Sequence, residues 1–454
     1  MNSAITSFES KNRNKKMRDA IVVGAGLAGC EAALYLADAG WQVTLYEMRP
    51  GRNTPAHETA YLAELVCSNS LKSTRLDTAS GLLKAEINAL GGKLLHIAQS
   101  CSVPAGHALA VDRALFAQRV EETVQSHANI RIIRQELTEL PSGKAILATG
   151  PLTSDAMMKA LSVLLGEEHL FFFDAIAPII GTDSIDYSKI YKKDRYDKGD
   201  ADYLNCAFDK EEYYRFVDAL IAGEKHEAHE FENEFFNGAK FNFYENCMPI
   251  EEIARRGRDS LRHGVMKPMG LETPDGKKPF AVLQLRAENS DASSYNLVGC
   301  QTMLKYGAQK EIFRLIPGLE QADFLRYGSI HRNAYLNAPV VLNQQFGFLQ
   351  QPELYLAGQL AGVEGYVECI GSGLLVAKVI ADAMPMLPPE TILGQLWRHL
   401  CTPKEGRFQP MNANFGILPR LENEPREKKL KKEMYSARAM EALAQEINNG
   451  RSDQ

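Results

Sequence analysis

The stretch Asp19-Ala-Ile-Val-Val-Gly24-Ala25-Gly26-Leu27-Ala28-Gly29-Cys30-Glu-Ala-Ala-Leu-Tyr-Leu-Ala-Asp-Ala-Gly-Trp-Gln-Val-Thr-Leu-Tyr-Glu47 decides the fold class. Residues 19–24 are a short apolar run of strand type. The next segment has the small-residue spacing of a helix laid tightly on a sheet, and Trp41–Glu47 is a second strand. Gly24, Gly26 and Gly29 fit GxGxxG. The first glycine permits the tight turn, the second lets the backbone approach a pyrophosphate, and the third allows close helix–strand packing. Ala25, Leu27 and Ala28 complete the loop, whose helix N-terminus offers unpaired N–H groups to phosphate. Glu47 lies 18 residues past Gly29, where a carboxylate can accept hydrogen bonds from a ribose diol. The expectation is an α/β, Rossmann-like dinucleotide-binding domain.

Two later segments favour FAD over NAD. Lys144-Ala-Ile-Leu-Ala-Thr-Gly150 and Glu353-Leu-Tyr-Leu-Ala-Gly358-Gln359 are apolar strands that end in small residues, at the carboxyl ends where open α/β sheets bind ligands. With Gly362, Gly365, Tyr366, Gly371 and Gly373 following, they look like the second and third flavin segments of the two-dinucleotide-binding flavoproteins. About 200 residues separate them, so the chain must leave the sheet and return. The intervening stretch, 188–322, differs in texture. It carries a charged segment from Ser188, an acidic run at 223–236, a basic run at 255–267 and a β-rich patch at 277–288. It reads as an inserted α+β domain. The domain plan is a disordered tail at 1–17, an FAD-binding domain in two parts (18–187 and 323–454), and the insertion between them. The charged residues beyond about 420 have a helical pattern and read as a solvated helix.

Composition narrows the function. Apolar residues make up 45% and charged residues 24% of the 454-residue chain, ordinary for a globular protein. No run approaches the roughly 18 apolar residues of a membrane span. Residues 1–17 have no apolar core and are not a secretory signal, and Met17 is an alternative start. The expected compartment is the cytoplasm, with reduced thiols. A formal net charge of −6 requires any nucleic-acid substrate to meet a local basic patch. The eight cysteines lie at least 30 residues apart, which excludes CxxC zinc and redox motifs. His226 and His229 have a spacing of three and no evident third ligand, so no metal is expected.

Two cysteines stand apart. Cys67 sits in a small polar loop soon after the Glu47 strand, and that topology returns it toward the mouth of the flavin site. Cys247 precedes a helix that starts near Pro249, close to several arginines, a setting that favours thiolate. Each has a structural alternative as a small buried residue. Arg255, Arg256, Arg258, Arg262 and Lys267, against Asp259, give a local excess of +4. It suits RNA phosphate, and a solvated helix face explains it nearly as well.

The segments Ala20–Ala33, Leu62–Ser73, Tyr244–Gly257, Met266–Leu271, His331–Pro339 and Leu356–Ala377 closely resemble the folate- and FAD-dependent tRNA uracil-5 methyltransferase family, from about residue 18 to about 420. The Leu356 segment is also similar to the larger glucose-inhibited division protein A family, whose long C-terminal extension has no counterpart here. The resemblance implies synthesis of 5-methyluridine in the T-loop of tRNA. The carbon would come from 5,10-methylenetetrahydrofolate, the electrons from reduced FAD, and NAD(P)H would re-reduce the flavin. By the same resemblance Cys247 matches the cysteine that attacks uracil C6, and Cys67 one near the flavin with a base or shielding role. Which thiol performs which step stays open. His331 is a candidate to stack on the pterin, with an ordinary hydrogen-bonded loop histidine as the equal alternative; Tyr366 is a candidate to pack near the isoalloxazine, with a core tyrosine as the alternative; and Arg255, Arg256 and Arg258 are candidates to grip the RNA. No residue pattern separates a tRNA target from ribosomal RNA. The rivals outside the family are a flavin NAD(P)H oxidoreductase acting on a small molecule and a non-enzymatic, FAD-stabilised RNA-binding module.

Overall fold

The computed structural model describes residues 18–54, 56–166, 170–175, 177–197, 202–225, 248–289, 291–328, 330–403 and 408–452. The 1–17 segment, Cys247, His226 and His229 lie outside the described residues.

The strand Asp19–Val23 is nearly continuous in apolar residues, as a strand covered on both faces requires. It pairs in parallel with Gln42–Glu47 on one side and with Ala145–Leu147 on the other. Ile130–Arg134 extends one edge, and Leu354–Leu356 extends the other beside Ala145–Leu147. The sheet is five-stranded and parallel, with the 354–356 strand arriving some 200 residues after its neighbour. Because Leu147 and Leu356 are in register, the turns after them emerge side by side at the carboxyl edge. This is the α/β, Rossmann-like arrangement with a late return expected from residues 144–150 and 353–359.

The helix Leu27–Asp38 is buried over most of its circumference, because a second helix, Tyr366–Asp382, crosses it on the side away from the sheet. Small residues set the closeness of that crossing, at Gly373, and of the turn that leads into the first helix, at Gly29. A Cβ at Gly373 would stand 2.1 Å from the Ala28 carbonyl oxygen, and one at Gly29 would stand 1.9 Å from the Gly24 carbonyl oxygen. Neither position tolerates any side chain without moving backbone.

Between the two visits to this sheet the chain builds another. Its order is 190–192, 204–208, 281–287, 294–297, 179–181 and 324–326, with every pair antiparallel. Two of its strands, 179–181 and 324–326, lie before residue 188 and after residue 322. The helix Lys210–Ala222, started by an Asp209/Glu212 capping box, buries Tyr213, Phe216, Val217 and Leu220 on this sheet. The resulting core is separate from that of the parallel sheet. An antiparallel ribbon of 170–175 with 330–335 carries the chain out and back.

The C-terminal helix Lys428–Ser452 differs from the solvated helix expected from its charge. Tyr435, Ala439 and Leu443, spaced by four, form one buried face in the core of the parallel-sheet unit, and the Ser436 hydroxyl donates to the Leu76 carbonyl. The lysines and glutamates that dominate the composition occupy the other face.

Buried glutamates cap helices from a distance. The N–H groups of Lys93 and Leu94 donate to Glu31 at 2.8 Å each, and those of Ile392 and Leu393 donate to Glu86 at 2.8 Å each. Each carboxylate satisfies two otherwise orphaned donors at a helix start. Burial pushes Glu86 up to about 8, although its two N–H partners pull it down. The folded chain therefore holds a proton there between the ordinary value of 4.5 and about 8, and stability falls as pH rises through that window. Thermal melts at a series of pH values should show this decline in the native chain and a flatter curve in Glu86→Gln, which does not titrate.

Candidate active site

A cleft of about 1060 Å³, counted out to open solvent, lies at the carboxyl edge of the parallel sheet. Its walls come from three turns far apart in sequence: Gly24–Ala28, Ala148–Ser154, and Gly358–Gln359 with Tyr366. Gly24 takes φ +96°, and a Cβ there would strike the Ala148 carbonyl, so this glycine lets the first two turns touch. Gly26 is different. Its φ of −75° suits any residue, and its Cβ direction meets nothing within 4 Å. The space beside Gly26 and Gly150 is open, and the Leu27–Asp38 helix points an N-terminus with no side-chain cap and no acid in its first turn at that space. A pyrophosphate fits such a cradle in size and charge.

Glu47 lines the same cleft and is almost fully used by the protein itself. It accepts from the Ala25 N–H at 3.1 Å, the Arg49 N–H at 3.0 Å and Arg49 Nε at 2.9 Å. A carboxylate has about four lone-pair sites, which leaves one on Oε2 for a ligand hydroxyl. Burial alone would raise this carboxyl, but the Arg49 guanidinium and the two backbone N–H groups outweigh it and hold the group below its ordinary range. Arg49 in turn donates to Glu64 at 3.1 Å. His57, also on the cleft wall, has Nδ1 2.5 Å from Thr54 Oγ1. Burial, reinforced by the Arg49 charge, pushes it down to about 4, so it is neutral near pH 7.

Cys67 closes this picture from the side. The Tyr366 phenol oxygen accepts the N–H of Cys67 at 2.8 Å and that of Ser68 at 3.1 Å. Tyr366 begins the helix that crosses Leu27–Asp38, so the crossing that builds the cleft also fixes the cysteine segment beside it. Arg113, on the helix after the Asp112 cap, donates to the Leu65 and Cys67 carbonyls at 3.0 and 3.2 Å. Asn69 donates to the Val111 and Ala287 carbonyls at 3.1 and 2.9 Å, which reaches into the second sheet. The other cysteines of the described residues are buried, whereas Cys67 is partly exposed.

The remaining candidates scatter. Ala25, Leu27, Ala28, Gly150, Gly358 and Gln359 line the cleft. Gly29 serves the packing of the turn, and Gly365, at φ +117° against the Glu368 carboxylate, shapes the entry to its helix. His331 pairs through its backbone with Asp174 in the connecting ribbon. Arg255 is paired with Glu252 at 3.2 Å, and Arg256 is exposed at the end of its helix. Arg258 is paired with Asp218 at 2.5 Å and lies over Tyr214 at 4.5 Å. Tyr214 packs on Phe280, just before the Ala281–Ala287 strand whose far end approaches Asn69. A seven-residue strand spans about 20 Å. The arginine run and the Cys67 segment are thus separated by the length of that strand. Arg49, His57, Glu64, Arg113 and Arg286 were not visible as site residues. Only Arg286 gave a signal, as a charge inside a strand whose other residues are apolar except Gln284.

The fold and the cleft define a Rossmann-like dinucleotide-binding flavoprotein. The family model described as glucose inhibited division protein A matches residues 19–386. The chain is 49% identical to the methylenetetrahydrofolate–tRNA-(uracil-5-)-methyltransferase TrmFO of Anoxybacillus flavithermus, over 93% of this chain and 98% of the relative. It is 50% identical to the protein of that name from Koribacter versatilis, over 96% and 98%. The structure of Aquifex aeolicus GidA in its form II crystal superposes with a TM-score of 0.68 at 16% identity, covering 96% of this chain and 73% of that one. The chain belongs to the glucose-inhibited division protein A family and, within it, to the methylenetetrahydrofolate–tRNA-(uracil-5-)-methyltransferases.

The contrast between two glycines tests the cradle. Gly26→Ala should leave the melting temperature of the flavin-free protein unchanged, because its Cβ enters empty space. In an FAD titration followed by flavin absorbance it should weaken binding about tenfold, or ~1.4 kcal/mol, by filling the phosphate's place. Gly29→Ala should instead lower the melting temperature.

Proposed function

We propose that this chain transfers the one-carbon unit of 5,10-methylenetetrahydrofolate to C5 of the T-loop uridine of tRNA. FAD, when bound and reduced, supplies the electrons that convert methylene to methyl, and NAD(P)H restores the reduced cofactor. The relatives' shared name supports the reaction class. The observation that supports the reading in this chain is the double hydrogen bond from the Cys67 and Ser68 amides to Tyr366, which lines the dinucleotide cleft together with Val66, the residue before Cys67.

The chemistry explains why thiols belong there. Uracil C5 is a weak nucleophile. Addition of a thiolate at C6 makes C5 enolate-like, and a base must later remove the C5 proton. Cys247 is assigned the attack on C6, and Cys67 the proton transfer at C5 or the shielding of the site. Burial, followed by the proximity of Cys67, raises the Tyr366 phenol above its ordinary value. Tyr366 therefore stays neutral and holds the segment by accepting both amides. The Glu47 carboxylate stays ionised and takes a ribose hydroxyl on its remaining site. Gly26 and Gly150 give the pyrophosphate its approach. His331 is assigned to the pterin. Arg255, Arg256 and Arg258 hold phosphates along the RNA at a distance from the target base, which must be turned out of the T-arm to reach the cleft. The compartment proposed for the reaction is the cytoplasm. Among the described residues no helix is long and apolar enough to cross a membrane, and no group of three potential metal ligands occurs.

The direct assay incubates the protein with FAD, NADPH, tRNA and methylene-labelled tetrahydrofolate. Label is expected in 5-methyluridine of tRNA. Cys247→Ala should abolish transfer while flavin binding and NADPH oxidation persist, and Cys67→Ala should slow transfer by at least about 100-fold. Label confined to ribosomal RNA, or undiminished transfer by both variants, would contradict the assignment.

A further inference from the structure

Arg286 sits in the strand Ala281–Ala287, whose other residues are apolar except Gln284, and is 7% exposed. Burying a guanidinium is costly unless its donors are satisfied, and structural arginines in such places usually meet a carboxylate. This one pairs with no acid among the described residues. Its Nε donates to Asn69 Oδ1 at 2.7 Å and its Nη2 to Ser68 Oγ at 2.9 Å. Both acceptors are neutral and are the two residues that follow Cys67; the Tyr203 phenol is a further neutral partner of the guanidinium. The acid nearest in sequence, Glu288, is paired at 2.5 Å with Arg113. Arg113 uses its other donors on the Leu65 and Cys67 carbonyls.

One strand end of the second sheet therefore grips the cysteine segment on both sides. Arg286 acts directly on Ser68 and Asn69. Glu288 acts through Arg113 on Leu65 and Cys67. Tyr366 supplies the third support, from the parallel-sheet unit. A segment held only by its own domain would need none of the second sheet's contacts. We propose that Arg286 is a positioning residue for the chemistry at Cys67, set by the second sheet and acting through Ser68 and Asn69. The inference rests on the reading of Cys67 as a reactive residue. It implies that the two units must be correctly docked before Cys67 is aligned, because misplacement of a reacting group by about 1 Å can cost ~100-fold in rate.

The test compares Arg286→Met and Arg286→Lys with the native protein, all loaded with FAD. Four quantities are followed: kcat and KM for methyl transfer to tRNA, flavin content, melting temperature, and the rate of iodoacetamide alkylation of Cys67 mapped by peptide mass spectrometry. Arg286→Met is expected to lower kcat by roughly 10- to 100-fold with KM for tRNA and folate within about twofold. Flavin content should not change, and alkylation of Cys67 should accelerate severalfold as the segment loosens. Arg286→Lys, which keeps the charge and one donor direction, should recover part of kcat and of the protection. Unchanged kcat together with unchanged alkylation would overturn the proposal. So would a loss of activity that follows flavin content and melting temperature equally in both variants, since that marks a purely structural role. Alkylation is read without any methyl transfer. A native methylation rate in Cys67→Ala would instead overturn the reading of Cys67, and with it the catalytic consequence assigned to Arg286.

Discussion

Two backbone approaches, Gly29 against the Gly24 carbonyl and Gly373 against the Ala28 carbonyl, govern the parallel-sheet unit. The second lets the helices Leu27–Asp38 and Tyr366–Asp382 cross at a separation that no side chain would permit, and the first seats the glycine turn against the start of Leu27–Asp38. From that crossing follows the meeting of three turns that lie more than 300 residues apart at their extremes. The first helix presents its N-terminus to the cleft, and the second begins with the tyrosine that holds Cys67. A dinucleotide site and a thiol segment are thus consequences of one packing event, which is why the long excursion through the second sheet has to return in register beside Ala145–Leu147.

Buried charge is handled consistently throughout the molecule. Glu31, Glu86 and Glu251 each accept two donors, most of them backbone N–H groups at the start of another segment. Glu47 accepts three. These carboxyl groups act as distant caps that tie elements together, and each would be expensive without its donors. Arg286 is the inverse case, a buried cation whose acceptors, among them Ser68 and Asn69 beside Cys67, are neutral. The same desolvation that makes the glutamates effective ties makes Arg286 a sensitive one, because neutral acceptors offset less of its cost than a carboxylate would.

The legible part of this fold was the part encoded locally. Gly24, Gly26, Gly29 and Glu47 announce their turn because each residue type answers a constraint within one βαβ unit, and the repeated strand-to-glycine endings at Gly150 and Gly358 announce the return. The tie between Cys67 and Tyr366 spans 299 residues, and neither side chain betrays it, because the donors are backbone amides. Arg49 and Arg113 were invisible for a related reason: their partners, Glu47 and Glu288, are common residues whose pairing depends on tertiary placement. The charged C-terminal helix misled because composition averages over faces, while Tyr435, Ala439 and Leu443 at intervals of four carry the docking.

The central claim is that the cleft at the helix crossing and the Cys67 segment form one reaction site. A crystal structure of the protein loaded with FAD measures this most directly. The account requires the pyrophosphate beside Gly26, the ribose against Glu47, and the isoalloxazine in contact, within about 4.5 Å, with the Cys67–Tyr366 pair. Flavin density in that cleft with the isoalloxazine directed away from Cys67, or flavin bound elsewhere on the chain, would contradict it.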